Sequence, residues 1–236
     1  LGAVFGVDNG WERANWFATK GKKPEYEYSF GRQNWFDNNK AEHEAVRHAV
    51  GVIDQSSFCK YQVEGPDAEK FLNRVCSNNV AVNVGQMVYT QWLNERGGIE
   101  ADVTVTRIAT DKYLIISGVA TQTRDMDWLH RNKADDRVYL NDITSAMAVV
   151  TLMGPRARDT LNKLTTADIS HEGFPFATSK EIDCHYAMVR ASRITYVGEL
   201  GWELYIATEY APSVFDAILV AGEEFGLKPY GYHTMN

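Results

Sequence analysis

The sequence predicts an α+β fold built from two related lobes. The pattern Gly-Pro-x-Ala-x-x-x-Leu-Asn occurs at residues 65–73 and again at residues 154–162. Each copy follows a strand-like run, places Pro in the first helical turn and puts Leu on an apolar helix face. We therefore expect lobes at about residues 56–145 and 146–236, each opening with a strand, a Gly-Pro turn and a helix.

Strand signals are clearest in residues 85–118. The run VTVTRI alternates with a period of two, the Arg-Gly-Gly triplet at residues 96–98 is a turn signal, and KYLIIS is typical of a buried strand. Two or three strands joined by short turns are predicted here. Helices are predicted at residues 41–50, 120–133 and 212–225, and residues 174–176 are predicted to form a loop packed on the core.

Composition narrows the class of protein. With 236 residues, 44% of them hydrophobic, the chain can bury a substantial core as one domain. The net charge of −7 and the absence of a basic stripe argue against a nucleic-acid partner. No apolar run approaches the roughly 18 residues of a membrane span, and the N-terminus has no signal-peptide pattern, so we expect no membrane association.

Cysteine and histidine spacing predicts neither disulfides nor a metal site. The three cysteines, Cys59, Cys76 and Cys184, are an odd number without CxxC spacing. Cys59 lies in an alternating apolar run and is predicted to be a buried thiol. Reduced cysteines fit a cytoplasmic protein, or one of the mitochondrial matrix if the source is eukaryotic. The six histidines show no metal-ligand spacing.

The richest candidate site is residues 193–205, which read RITYVGELGWELY. Two carboxylates, Glu199 and Glu203, stand among Tyr196, Trp202 and Tyr205, and a few strong acceptors on an apolar wall make a ligand site. An ordinary hairpin shaped by its glycines, with both carboxylates in water, would have the same sequence.

Asp102 is the second candidate. It stands at the head of the alternating run, just after the Gly-Gly turn, where a strand-end carboxylate can face a cleft and act as a general base. The alternative is a solvated Asp at the end of a hairpin. Asp102 falls in the first predicted lobe and Glu203 in the second, so a ligand held between the lobes would meet both.

Three motifs resemble those of the folate-dependent aminomethyltransferase family. They are YTQWLNERGGIEADVTVTR at residues 89–107, SSFCKYQVEGPDAEKFLNRV at residues 56–75, and RITYVGELGWELY at residues 193–205. The family includes the glycine cleavage T-protein and the C-terminal halves of dimethylglycine and sarcosine dehydrogenases and oxidases. Order, spacing and residue types agree in all three segments, so the resemblance extends from about residue 40 to the C-terminus.

The resemblance implies a role for five residues. Asp102 matches the family's catalytic carboxylate, which contacts N10 of tetrahydrofolate, and Tyr89 matches a tyrosine of the same pocket. Tyr196 and Glu203 match the pair that holds the pteridine. A carboxylate can accept two parallel N–H bonds from the 2-amino group and N3 of a pteridine, which makes Glu203 the predicted anchor. Ile116 matches an apolar residue placed against the ring, although a buried strand without a ligand would also contain such a residue.

The sequence also departs from the family pattern. T-proteins carry two adjacent Asp residues after the Gly-Gly turn, whereas Ala101 fills the first position here. Thr104 and Thr106 stand where T-proteins often have larger apolar residues, which predicts a more polar wall. The chain is also expected to be a fragment, because it ends at Asn236, before an arginine that the family uses for the folate glutamate tail and before the family's C-terminal barrel.

Residues 10–17, GWERANWF, resemble the connector that follows the flavin domain in dimethylglycine and sarcosine dehydrogenases. We therefore expect residues 1–39 to be an extended connector and residues 40–236 to be an incomplete folate-binding domain. The chain has no GxGxxG fingerprint, so the FAD-binding domain is expected to lie outside it. Without that neighbour, Trp11, Trp16 and Trp35 are expected to be exposed.

The resemblance thus implies an enzyme of the dimethylglycine or sarcosine dehydrogenase type that transfers a one-carbon unit to tetrahydrofolate from an N-methylated glycine-type amine. Its expected partners are folate, the amine and a flavin domain in the same full-length protein, with FAD bound only there. Three alternatives stay open: a T-protein-like aminomethyltransferase, a folate-dependent demethylase, and a catalytically silent folate-binding regulatory module. Whether the fragment alone is active is left open by the sequence.

Overall fold

The computed structural model describes residues 1–235 and has an α+β architecture, which confirms the predicted fold class. None of the helices in that range is both long and apolar enough to cross a membrane. The helices are α1 Phe36–His48, α2 Ala68–Val75, α3 Gln122–Asn132, α4 Ala157–Asn162, α5 Ala211–Gly222 and α6 Tyr232–Met235. The strands are β1 Ala3–Asp8, β2 Trp11–Phe17, β3 Gly51–Asp54, β4 Cys59–Glu64, β5 Met87–Leu93, β6 Ile99–Ala109, β7 Lys112–Ser117, β8 Tyr139–Asp142, β9 Met147–Met153, β10 Thr178–Cys184, β11 Ala187–Arg193, β12 Gly201–Ala207 and β13 Lys228–Pro229.

The strands form two large sheets and one hairpin. The first sheet has the order β5-β6-β7-β4-β8, and the second has the order β10-β11-β12-β9-β3-β13. All pairings are antiparallel except that of β13 with β3. Strand β3 precedes the whole first sheet in the chain yet pairs with β9 in the second sheet, so the chain crosses between the sheets immediately after β3.

Helices cover the outer face of each sheet. Successive strand side chains point to opposite faces, so every second residue of a strand packs against these helices. In β7, Tyr113 and Ile115 pack with residues of α2 and α3, including Leu72 and Leu129. In β12, Trp202, Leu204 and Ile206 pack with residues of α4 and α5, including Leu161 and Ile218. The layers are therefore helix, sheet, sheet and helix.

The inner faces of the two sheets meet at a small apolar cluster. Leu114 of β7 is buried there with Val149 of β9 and Tyr205 of β12, and Ile116 packs against them. A backbone bridge between Gln86 and Thr178 also joins the sheet edges. The inner faces are therefore held together while room for cavities remains beside the cluster.

The repeated Gly-Pro pattern marks corresponding places in the two sheets. β4 leads through Gly65 into α2, and β9 leads through Gly154 into α4, with φ values of 144° and 134° at these glycines. Leu72 and Leu161 are fully buried, as predicted. The two prolines lie in the turns before the helices rather than in their first turns, since α2 begins at Ala68 and α4 begins at Ala157.

The first residues fold back onto the domain instead of exposing their tryptophans. Trp16 in the β1–β2 hairpin is 1% exposed and packs near Trp35, while Trp11 and Trp35 are partly buried, so the expectation of exposed tryptophans is wrong. The carboxylate of Glu42 on α1 accepts hydrogen bonds from the backbone N–H of Phe17 at 2.7 Å and of Gly231 at 3.0 Å. These bonds tie the hairpin and the C-terminal segment to α1.

Cys59 is a buried free thiol, as predicted, and Cys76 and Cys184 are free and buried as well. Burial raises the pKa of Cys76 to about 11 and that of Cys184 to about 12. Both thiols are therefore protonated at neutral pH and packed as small apolar groups.

The loop prediction at residues 174–176 holds for Phe174, which is buried in the core, but not for Phe176, which is exposed.

Candidate active site

A cavity of about 350 Å³ opens between the inner faces of the two sheets. This volume lies in the range of small-molecule pockets. All five residues that the sequence singled out lie in its wall, although they come from β5, β6, β7, β12 and the loop after β11. The lining residues are Gln55, Phe58, Tyr89, Asp102, Val103, Thr104, Ile116, Ser117, Gly118, Ile194, Thr195, Tyr196 and Glu203.

Asp102 and Tyr89 form a pair at one side of the cavity. The hydroxyl of Tyr89 donates a hydrogen bond of 2.6 Å to Oδ2 of Asp102. This bond, followed by burial, raises the pKa of Tyr89, so the phenol stays protonated as the donor. The Asp102 side chain is exposed to solvent. It is therefore accessible to a ligand, while Tyr89 fixes its orientation.

Asp102 lies inside a strand and not at its end. β6 begins at Ile99, and Asp102 pairs with Gln91 of β5. The neighbouring Ala101 is 5% exposed and belongs to the core between the first sheet and its helices. Successive strand residues point to opposite faces, so a carboxylate at position 101 would enter that core. Of these two positions, only 102 faces the cavity.

Glu203 stands at the other side of the cavity on β12. Tyr205 donates a hydrogen bond of 2.5 Å to Oε2 of Glu203. Burial raises the pKa of Glu203, and the bond from Tyr205 partly offsets that rise. Within residues 1–235 this carboxylate has no other hydrogen-bond donor and no ion-pair partner. An ionised carboxylate has about four acceptor positions, so most of its acceptor capacity is free for a ligand.

Tyr196 and Ile116 add an aromatic and an aliphatic wall. Tyr196 is 59% exposed and lies on the loop between β11 and β12, where its ring lines the cavity. Ile116 pairs with Thr104 in β6, so both side chains face the cavity. Thr104 therefore makes this wall more polar, as predicted, whereas Thr106 is buried outside the lining.

Sequence reasoning missed several lining residues, among them Gln55, Phe58 and Thr195. Gln55 and Phe58 belong to the turn that carries the chain from β3 to β4, between the sheets. The Gln55 amide accepts a hydrogen bond from Thr151, which fixes it at the cavity wall. Thr195 immediately precedes Tyr196, and its Oγ1 is buried without a hydrogen-bond partner in the described chain. The motif at residues 56–75 was the only signal near Phe58, and no signal pointed to Gln55.

Glu199 lies outside this cavity. Its Oε1 forms an ion pair of 2.6 Å with Nη1 of Arg47, at the end of α1. The two carboxylates of the 193–205 segment therefore have different surroundings. Glu203 faces the gap between the sheets, and Glu199 ties the loop to α1.

The fold defines a protein with the aminomethyltransferase T-protein architecture. The solved structure of the glycine cleavage system aminomethyltransferase T from Bartonella henselae superposes with a TM-score of 0.80, at 22% identity, over 99% of this chain and 57% of that one. The family model "GCVT N-terminal domain" matches residues 1–236, so the chain belongs to this family. The resemblance seen in the three motifs is thereby confirmed.

The chain spans less than a third of the length of two curated relatives. It is 38% identical over 236 residues to 4-methylaminobutanoate oxidase (formaldehyde-forming) from Paenarthrobacter nicotinovorans. That alignment covers 100% of this chain and 29% of the relative. It is 35% identical over 233 residues to mitochondrial dimethylglycine dehydrogenase from Homo sapiens, which covers 98% of this chain and 27% of the relative.

Proposed function

We propose that this domain transfers a one-carbon unit from an N-methylated amine to tetrahydrofolate, as part of an enzyme of the dimethylglycine or sarcosine dehydrogenase type. One observation carries the proposal: Asp102 from one sheet and Glu203 from the other line the same cavity. The names of the two relatives support an N-methylated amine as the source of the carbon.

Glu203 is proposed as the pterin anchor. Its carboxylate is partly buried, has Tyr205 as its single donor, and lacks a cationic partner among the described residues. A pteridine offers two adjacent N–H donors that match a carboxylate edge, and such charge-assisted pairs both bind and orient. The ring would lie against Ile116 and Tyr196, which supply apolar and aromatic surface.

Asp102 is proposed to move the proton. When bound, tetrahydrofolate supplies the nitrogen atoms that capture the one-carbon unit. Asp102 would accept the proton that such a nitrogen loses, and its charge would stabilise positive charge that develops nearby. Tyr89 holds Oδ2 of Asp102 at 2.6 Å, which leaves Oδ1 free to face the ligand.

The proposal is tested by titrating tetrahydrofolate into the 236-residue chain and into three variants. Glu203→Gln is expected to bind about 10- to 100-fold more weakly, because it loses a charge-assisted pair. Glu199→Gln is the matched control: it removes a carboxylate from the same segment, but one that pairs with Arg47 outside the cavity. Asp102→Asn is expected to bind folate yet lose transfer in a full-length enzyme.

Two outcomes would reject the assignment. If Glu203→Gln binds tetrahydrofolate as tightly as the parent, Glu203 is not the anchor. If Asp102→Asn retains full folate-dependent transfer, Asp102 does not handle the proton. Binding without any transfer in the parent full-length enzyme would favour the silent regulatory alternative.

A further inference from the structure

A second cavity, of about 390 Å³, lies beside the first and is lined by basic side chains. Arg158, Arg193 and His171 contribute to its wall, and Ile194 and Thr195 line both cavities. Since the chain as a whole carries a net charge of −7, a cavity with two guanidinium groups stands out from the rest of the molecule.

The two arginines line the same cavity, and neither has a carboxylate partner there. Both guanidinium groups stand over the ring of Trp202, at 5.7 Å for Arg158 and 5.8 Å for Arg193. Neither forms an ion pair with a carboxylate in residues 1–235. The single carboxylate of the lining, Glu199, is already paired with Arg47. Withdrawing cations from water without an anion costs free energy, and a bound anion would offset this cost.

Two contacts hold the guanidinium group of Arg193, but one of its N–H donors has no acceptor. It is 5% exposed, and its Nη1 donates to the carbonyl oxygen of Phe174 at 2.6 Å while its Nη2 lies 2.9 Å from Nδ1 of His171. Its Nε has no partner in the described chain. Burial, and next the positive charge of Arg158, lower the pKa of Arg193.

Two further donors in the wall are also unpartnered within the part of the chain that the structure describes. Arg158 uses its Nε on the carbonyl oxygen of Ile169 at 2.9 Å, but its Nη2 has no acceptor. The hydroxyl of Thr195 has no partner either. Buried polar groups are normally hydrogen-bonded, so three unmet donors around one basic cavity call for an acceptor.

We propose that this cavity binds a small oxyanion, a carboxylate or a phosphate group, between Arg158 and Arg193. Guanidinium groups present planar forks of N–H donors that match both anions. The three unmet donors are covered by neighbouring atoms, so we expect the 194–200 loop to shift slightly when the anion enters. Gly198 in this loop has a φ of +86° and open space around it, which leaves room for such a shift. The inference does not depend on the proposed folate cleft.

The test is a titration of the 236-residue chain with sodium phosphate and, separately, with sodium acetate, at constant ionic strength. The indole N–H signal of Trp202 reports occupancy in NMR spectra, because both guanidinium groups lie over that ring. Arg158→Gln is expected to weaken binding about tenfold or more, the loss of one charge-assisted hydrogen bond. Arg156→Gln is the matched control, since Arg156 is two residues away but pairs with Asp159 outside the cavity.

Thr195→Val provides a second variant that does not depend on the folding of Arg158→Gln. It removes one unpartnered hydroxyl with little change in shape and is expected to weaken the anion severalfold. Binding of acetate alone would identify a carboxylate ligand, binding of phosphate alone a phosphate ligand, and either result supports the site. The proposal is overturned if neither anion gives a saturable shift, if Arg156→Gln weakens binding as much as Arg158→Gln, or if Thr195→Val leaves the affinity unchanged.

Discussion

The hydroxyl of Tyr205 donates a hydrogen bond of 2.5 Å to Oε2 of Glu203, and both side chains lie on the inner face of β12. Tyr205 is 1% exposed, so the bond is made where water cannot replace it. Burial and the adjacent carboxylate raise the pKa of Tyr205 well above its ordinary value. Tyr205 is therefore a permanent donor that holds one oxygen of Glu203 and leaves the other to the cavity.

Tyr205→Phe is expected to lower the free energy of unfolding by about 1–3 kcal/mol, because it removes the single donor to a partly buried carboxylate. Tyr113→Phe is the matched control: Tyr113 is equally buried, but its hydroxyl has no partner in residues 1–235, so the change should be nearly neutral. Urea unfolding of the two variants and the parent measures the difference. Equal losses in both variants would contradict a special role for the bond to Glu203.

Glu203 is also expected to make stability depend on pH. Its folded-state pKa is raised above the ordinary value of 4.5, mainly by burial. A carboxyl group with a raised pKa contributes its full stability below pH 4.5, and this contribution is lost as the pH rises through the folded-state pKa. Glu203→Gln keeps an acceptor for Tyr205 but cannot ionise. The unfolding free energy of the parent relative to Glu203→Gln should therefore fall as the pH rises above 4.5.

This comparison also separates function from stability. If Glu203 serves ligand binding, the ligand-free parent should be less stable at neutral pH than Glu203→Gln. The same variant should bind folate more weakly than the parent. Unfolding curves at several pH values, with and without tetrahydrofolate, give both quantities. A stability difference that does not change with pH would contradict the raised pKa of Glu203.

Asparagine substitutions at positions 101 and 102 test which face of β6 each residue occupies: the core under the helices or the cavity. Ala101→Asn puts an amide into the core of the first sheet and is expected to destabilise the chain by at least about 2 kcal/mol. Asp102→Asn changes an exposed side chain that can still accept the bond from Tyr89, so its effect on stability should stay within about 0.5 kcal/mol. Similar losses at both positions would mean that Ala101 does not face the core.

The sequence pointed to five residues that the structure places in the wall of one cavity, but it did not point to every residue of that wall. Asp102 and Glu203 lie in motifs whose local strand pattern is strong, so their neighbourhoods could be recognised from short segments. Gln55 could not, because it reaches the cavity only through the pairing of β3 with β9, about a hundred residues later in the chain. Such long-range pairing leaves no periodic signal in a local window.

The beginning of α1 shows the same limit. The sequence predicts the helix from residue 41, but α1 begins at Phe36. The stretch between these positions contains two asparagines, which have low helix propensity. Tertiary contacts override that propensity: Asn38 is 2% exposed, and its side-chain oxygen accepts a hydrogen bond from the backbone N–H of Thr19 at 3.1 Å. The partner of Asn38 lies in the N-terminal segment, which sequence periodicity alone could not place.

Lys60 gives a last prediction, because it is a lysine enclosed between the sheets. It is 0% exposed, and its Nζ donates to the carbonyl oxygens of Ser56 at 2.8 Å and Phe58 at 2.7 Å. These bonds hold the turn that places Phe58 in the cavity wall. Burial lowers the pKa of Lys60 from 10.5 to about 8.

A lysine whose folded-state pKa is lowered contributes stability above its unfolded pKa and loses it as the pH falls through the folded one. The parent should therefore become more stable relative to Lys60→Met between pH 8 and pH 10.5, by about 3 kcal/mol in total. Lys40→Met, at an exposed position of α1, is the control and should give a curve parallel to that of the parent. Denaturant unfolding at several pH values in this window measures the slope, and a Lys60→Met curve parallel to the parent would show that Lys60 is not an enclosed cation.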